Sequence, residues 1–198
     1  SLEAYVGAII AVFIIKSGID MMRDTLSDIL GERPDPVLVR RIKGMLAAEP
    51  EIRGAYDLMI NNYGPGRNYA SVHIELPDTM NTDEIDQLTR RIHDKVYLET
   101  GVRLMGVSVY SYNAHDEEAQ EIRKAVYKIV MVHRDYALQV HGFYVNRAQK
   151  KMRFDVVVRF GFSLPDIVKE LKAEVKAVYP DYDVLIDPDL DMSAVCNN

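Results

Sequence analysis

Apolar positions along this chain follow two periods in alternation, and the alternation itself repeats. A helix-period stretch, two alternating strand-like runs, a second helical stretch and a final strand occur over 35–113 and again over 117–189. In the first copy Asp35-Pro36 supplies an N-cap and a first-turn proline. Val39, Ile42, Met45 and Leu46 give the apolar face, and Glu49-Pro50 ends it. Residues 52–61 read as a strand and 62–66 as a glycine-proline turn; 69–76, β-branched and alternating, reads as the returning antiparallel strand. Asn81-Thr-Asp-Glu84 has the form of a capping box before a helix with Ile85, Leu88, Ile92 and Val96 on one face. Gly101 closes that helix, 102–110 forms the last strand, and 113–116 is a polar linker.

The second copy repeats each step. Ile122, Val126, Ile129 and Val130 mark a helix, 137–145 and 152–160 two strands, and Ser163-Leu-Pro-Asp166 a cap. Ile167, Leu171, Val175 and Val178 mark the next helix, and the strand 183–186 ends in Asp187-Pro188. Setting 54–61 against 139–146 places 70–74 on 154–158 after a one-residue gap. The pattern predicts an α+β chain: an N-terminal helix over 1–33, then two tandem ferredoxin-like αββαβ modules over 34–113 and 117–198. Each module has its helices on one face of a mainly antiparallel sheet.

The N-terminal segment changes this picture. Residues 4–15 are uninterruptedly apolar, but twelve residues do not span a bilayer, and no basic leader or cleavage site frames them. We read them as the end of a membrane helix that starts upstream, against the alternative of a buried core helix. Beyond Lys16, Ile19, Met22, Leu26, Ile29 and Leu30 recur at helical spacing among acidic and basic residues. Gly31-Glu-Arg-Pro34 is a stop.

A net charge of −6 disfavours general nucleic-acid binding and favours cations as partners. The single Cys196 leaves no intrachain disulfide and no cysteine-built zinc site. No phosphate-binding glycine loop, nucleophile elbow or tight His/Cys motif occurs, so an enzyme is not expected. Histidines and carboxylates on strands remain. His73 and Glu75, two apart, leave one face of a strand, as ligands of a shared cation or as ordinary surface residues. His141 stands at the repeat position of Tyr56, as a ligand or as a hydrogen-bonded structural residue. Asp187, Asp189 and Asp191 alternate after the last strand, as a cation site or as turn chemistry. His93, His115 and His133 are given no role.

The stretches Ile52-Arg-Gly-Ala-Tyr-Asp-Leu58, Tyr63-Gly-Pro-Gly66 and Ala70-Ser-Val-His-Ile-Glu75 resemble the cytoplasmic domain of cation diffusion facilitator transporters. Residues 17–30 resemble the join to that family's last membrane helix. The second module is similar to an extra C-terminal copy found in some bacterial members. The resemblance implies a homodimeric, proton-coupled exporter of divalent cations in the cell membrane, with this portion on the cytoplasmic side. Its transport site would lie in membrane helices upstream.

It also implies a regulatory cation site, of zinc or manganese class, built from strand histidines and terminal acids. His73 matches the second-strand histidine. Tyr56, Tyr110 and Tyr112 stand where ligands are usual, while the second module keeps His141, Asp187 and Asp189 but has Val157. Each copy is incomplete alone, so His73, His141, Asp187 and Asp189 are expected to complement one another across modules or across a dimer. A metal-free dimerisation scaffold is the competing expectation. An RNA-binding sheet is a third, disfavoured by the acidic balance.

Overall fold

A computed structural model describes residues 2–30, 35–64 and 66–190. The predicted stop at 31–34, Pro65 of the turn, Asp191 and Cys196 lie outside the described residues. Helix α1 runs unbroken over Leu2–Leu30. Within it Glu3–Arg23, 21 residues, is long and apolar enough to cross a membrane, and none of that stretch is buried. Its described residues belong to neither module's core. The apolar run of twelve residues proves to be part of a longer apolar span, because Gly7 and Gly18 leave the helix continuous.

The first module follows as α2 (Pro36–Ala47), β1 (Gly54–Asn62), β2 (Asn68–Pro77), α3 (Thr82–Thr100) and β3 (Arg103–Tyr112). The second comprises α4 (Glu117–Val130), β4 (Ala137–Asn146), β5 (Lys151–Val158), α5 (Leu164–Val178) and β6 (Asp183–Leu190). Each module has one three-stranded sheet, ordered β1-β2-β3 and β4-β5-β6. The hairpin pairs antiparallel, but the last strand returns beside the central one in parallel after its crossover helix. The sheets are therefore mixed, not mainly antiparallel.

Local sequence sets the helix ends. The Asp35 carboxylate accepts the Val37 N–H at 2.9 Å, and Asn81 with Glu84 forms a complete capping box. Gly101 ends α3 in the left-handed region at φ 72°. Ser163 is the N-cap residue of α5, yet its hydroxyl makes no capping bond there, contrary to the expected cap.

One core lies in each module. Ile42, Leu46, Leu88, Ile92 and Val96 cover Val72 and Ile74 of β2. Ile122, Val126, Leu171 and Val175 cover Phe154 and Val156 of β5. Both sheets thus bury their helix side in their own module, and their other faces supply the contacts between modules.

Strand β6 differs from expectation in a way that matters. It does not stop at Asp187-Pro188 but continues to Leu190, with Pro188 opposite Val156 and Asp189 opposite Val157. β6 is an edge strand, where a missing N–H costs no ladder bond if it faces outward, so the proline is accommodated. The acidic pair therefore has strand geometry rather than turn geometry.

Candidate metal centre at the seam between modules

Both first strands carry a bulge at the same place. Register slips between Tyr56 and Met59 in β1 and between His141 and Tyr144 in β4. The residues within the bulges, Asp57 and Gly142, both adopt positive φ, 52° and 62°. For Gly142 this is unstrained, whereas for Asp57 it is a sparsely populated state held by its surroundings. The bulge re-aims the Asp57 carboxylate toward the other module.

Register also corrects the internal alignment. Tyr56 pairs with His73 in the first sheet and His141 with Asp155 in the second. Along the parallel ladders Glu75 faces Tyr110 and Val157 faces Asp189. Asp155, not Val157, is thus the counterpart of His73, and Asp189 is the counterpart of Tyr110. A slip of two residues keeps every side chain on its face, so hydrophobic alternation alone could not detect it.

The two modules meet about an approximate twofold relation. Tyr56 stacks on its counterpart His141, ring centroids 4.6 Å apart and planes 7° from parallel. The Tyr110 hydroxyl donates to Asp155 at 2.5 Å, and the Gly142 N–H donates to the buried Glu75 carboxylate at 3.0 Å. Asn113 exchanges two 3.2 Å bonds with the Val145 backbone. The tyrosine ring lies where a side chain on Gly142 would point: a Cβ there would come within 3.2 Å of it.

At the centre of this seam carboxylates and imidazoles converge. Asp57 Oδ2 lies 2.7 Å from His73 Nδ1 and 3.2 Å from His141 Nε2. His141 Nε2 is also 3.8 Å from Asp189 and 3.9 Å from Asp155. Ligand atoms of Asp57, His141 and Asp189 lie within 4.8 Å of one another. Asp57 and Asp189 border a cleft of about 440 Å³ that His73, Tyr110 and Asp155 also line. The His141 side chain is fully buried, and among the described residues its Nδ1 and the Asp155 Oδ1 are buried without a hydrogen-bond partner.

The electrostatics follow from crowding three acids around one imidazole. Burial would raise the Asp57 carboxyl, but hydrogen bonds with His141 and His73 outweigh it and hold it below the usual range. Burial alone would lower His141, but the hydrogen bond to Asp57 and the charges of Asp57, Asp155 and Asp189 leave it raised. Asp155 is pushed up by burial, only partly opposed by Tyr110 and His141. Asp189 is pushed up by burial and then by the Asp57 charge. A proton on Nε2 thus occupies the focus of the three carboxylates. A divalent cation at that focus would neutralise more of their charge.

Of the four predicted residues, the structure brings His141 and Asp189 into the cluster and sets His73 beside it through Asp57. Asp187 borders the cleft, but its carboxylate pairs with Arg153 at 2.5 Å and makes no contact with His141 within 4 Å. Glu75, the predicted companion of His73, instead receives Gly142 and lies 3.6 Å from Arg53. Sequence reasoning missed Asp57 and Asp155. The first lies inside the quoted Tyr-Asp-Leu stretch, and the second was hidden by the two-residue slip. A second group, His133 with Glu170 and Glu174, sits nearer the surface, where His133 Nε2 pairs with Glu174 at 2.8 Å.

Residues 34–103 match the family model described as cation efflux protein, cytoplasmic domain. No curated protein matches the chain. The first module therefore belongs to that family of domains; the match ends before the second module.

Proposed function

We propose, starting from a first module that is a cation efflux cytoplasmic domain, that the chain is the cytoplasmic regulatory region of a divalent-cation exporter. Helix α1 is then the end of its last membrane helix, and the full protein is a proton-coupled, homodimeric antiporter of the cell membrane. The role of this region is binding and coupling, not catalysis. The observation that carries the reading is the convergence of Asp57 from one module with His141 and Asp189 from the other. A donor set of carboxylate oxygens and imidazole suits borderline cations of the manganese-to-zinc class. Binding there links the modules, since neither supplies the set alone.

Isothermal titration of the chain in detergent micelles with Mn²⁺ and Zn²⁺ tests this. We expect one tight cation per chain and roughly 10–100-fold weaker binding on Asp57→Asn. Affinity unchanged by that substitution would overturn the site. Absence of binding in the unaltered chain would favour the second reading, a metal-free scaffold. One observation speaks for that scaffold: Tyr56 stacks directly on His141, and Tyr110 donates directly to Asp155.

A further inference from the structure

A second cleft opens at the same seam, and its chemistry is the opposite of the first. It measures about 240 Å³ and is lined by Arg53, Tyr112 and Asn113 from the first module's end of the seam and by Gln120, Arg123 and Lys124 of α4. No carboxylate lines it, in a chain that carries a net charge of −6.

The cations are unequally satisfied. Lys124 pairs with Glu121 on its own helix at 2.6 Å. Arg53 lies with its guanidinium 4.5 Å from the Tyr112 ring centroid and 3.6 Å from Glu75. Glu75 accepts the Gly142 N–H through one carboxylate oxygen, and its single negative charge is shared between Arg53 and Arg123. Arg123 is half-buried and makes no hydrogen bond or ion pair among the described residues. Burial and then the neighbouring Arg53 charge hold its guanidinium below the usual range, which marks it as electrostatically unfavourable where it stands. An unpaired, partly desolvated guanidinium next to a second one is costly unless something anionic shares them.

We propose that this cleft binds a phosphate-type oxyanion, held by Arg123 and Arg53 with Lys124 at the rim, and so ties α4 of the second module to the first. The oxygens of a phosphate group match two guanidinium forks, whereas the Gln120 and Asn113 amides already donate to the Ala114 and Val145 carbonyls. The site is separate from the cation site, because the two clefts share no lining residue. Free phosphate or a phosphate monoester and the phosphodiester headgroup of an anionic lipid share this chemistry.

Thermal unfolding of the full chain in detergent micelles, at constant ionic strength with chloride as the balancing anion, is the test. Inorganic phosphate is expected to raise the midpoint saturably, and Arg123→Gln to weaken the apparent affinity roughly tenfold. Arg40→Gln, an exposed α2 control, should leave it unchanged. In chloride alone Arg123→Gln should melt no lower than the unaltered chain, since it removes an unpaired charge; a purely structural arginine would show a lower midpoint. Glycerol 3-phosphate and glycerophosphoglycerol then separate the sources: saturation by the monoester assigns a soluble ligand, saturation by the diester a lipid headgroup. Phosphate stabilisation of equal strength in Arg123→Gln, or no saturable effect of any of the three anions, would overturn the proposal.

Discussion

Asp57 and Gly142 occupy equivalent bulges and show what a single residue can decide. Both backbones are left-handed, but only Gly142 does so without cost, and it must also stay bare to admit Tyr110. Gly142→Ala is therefore expected to destabilise the chain by about 1–3 kcal/mol, seen as a lower urea midpoint, and to loosen the Tyr110 to Asp155 bond. A midpoint unchanged by the substitution would mean that the seam is not packed as described. Asp57 takes on a backbone strain that Gly142 avoids, in return for a carboxylate placed between two imidazoles. This was half legible in the sequence. His141 and Asp189 were visible as residue types on strand faces, but the aim of Asp57 depends on a bulge, which no alternation of side chains announces.

At the level of elements, helices were read well because their signals are local. The Asp35 cap, the Asn81 and Glu84 box and Gly101 each act within one turn. Asn81→Ala is expected to cost about 1 kcal/mol, lowering Tm by roughly 2–4 °C in a thermal melt, whereas Ser163→Ala should be near neutral because its hydroxyl makes no capping bond. Equal effects of the two would contradict the capping assignment. Strands were read less well, since parallel pairing of β3 and β6 and the extension of β6 through Pro188 are tertiary facts. The duplication was legible as a pattern. Its register was not, for a two-residue slip costs nothing in hydrophobic phase, and that slip concealed Asp155.

For the whole molecule, the duplication places two related faces against each other within one chain. Tyr56 over His141 is the mark of that pairing, and the cluster beside it draws residues from both copies. Exposed α1 fits a chain whose first described helix belongs elsewhere than against these modules. The direct test of the central claim is anomalous diffraction from crystals of the chain grown with Mn²⁺. The account predicts one strong peak about 2.2 Å from carboxylate oxygens of both Asp57 and Asp189, with His141 as a further ligand. A peak confined to His133, Glu170 and Glu174, or none at the seam, would contradict it.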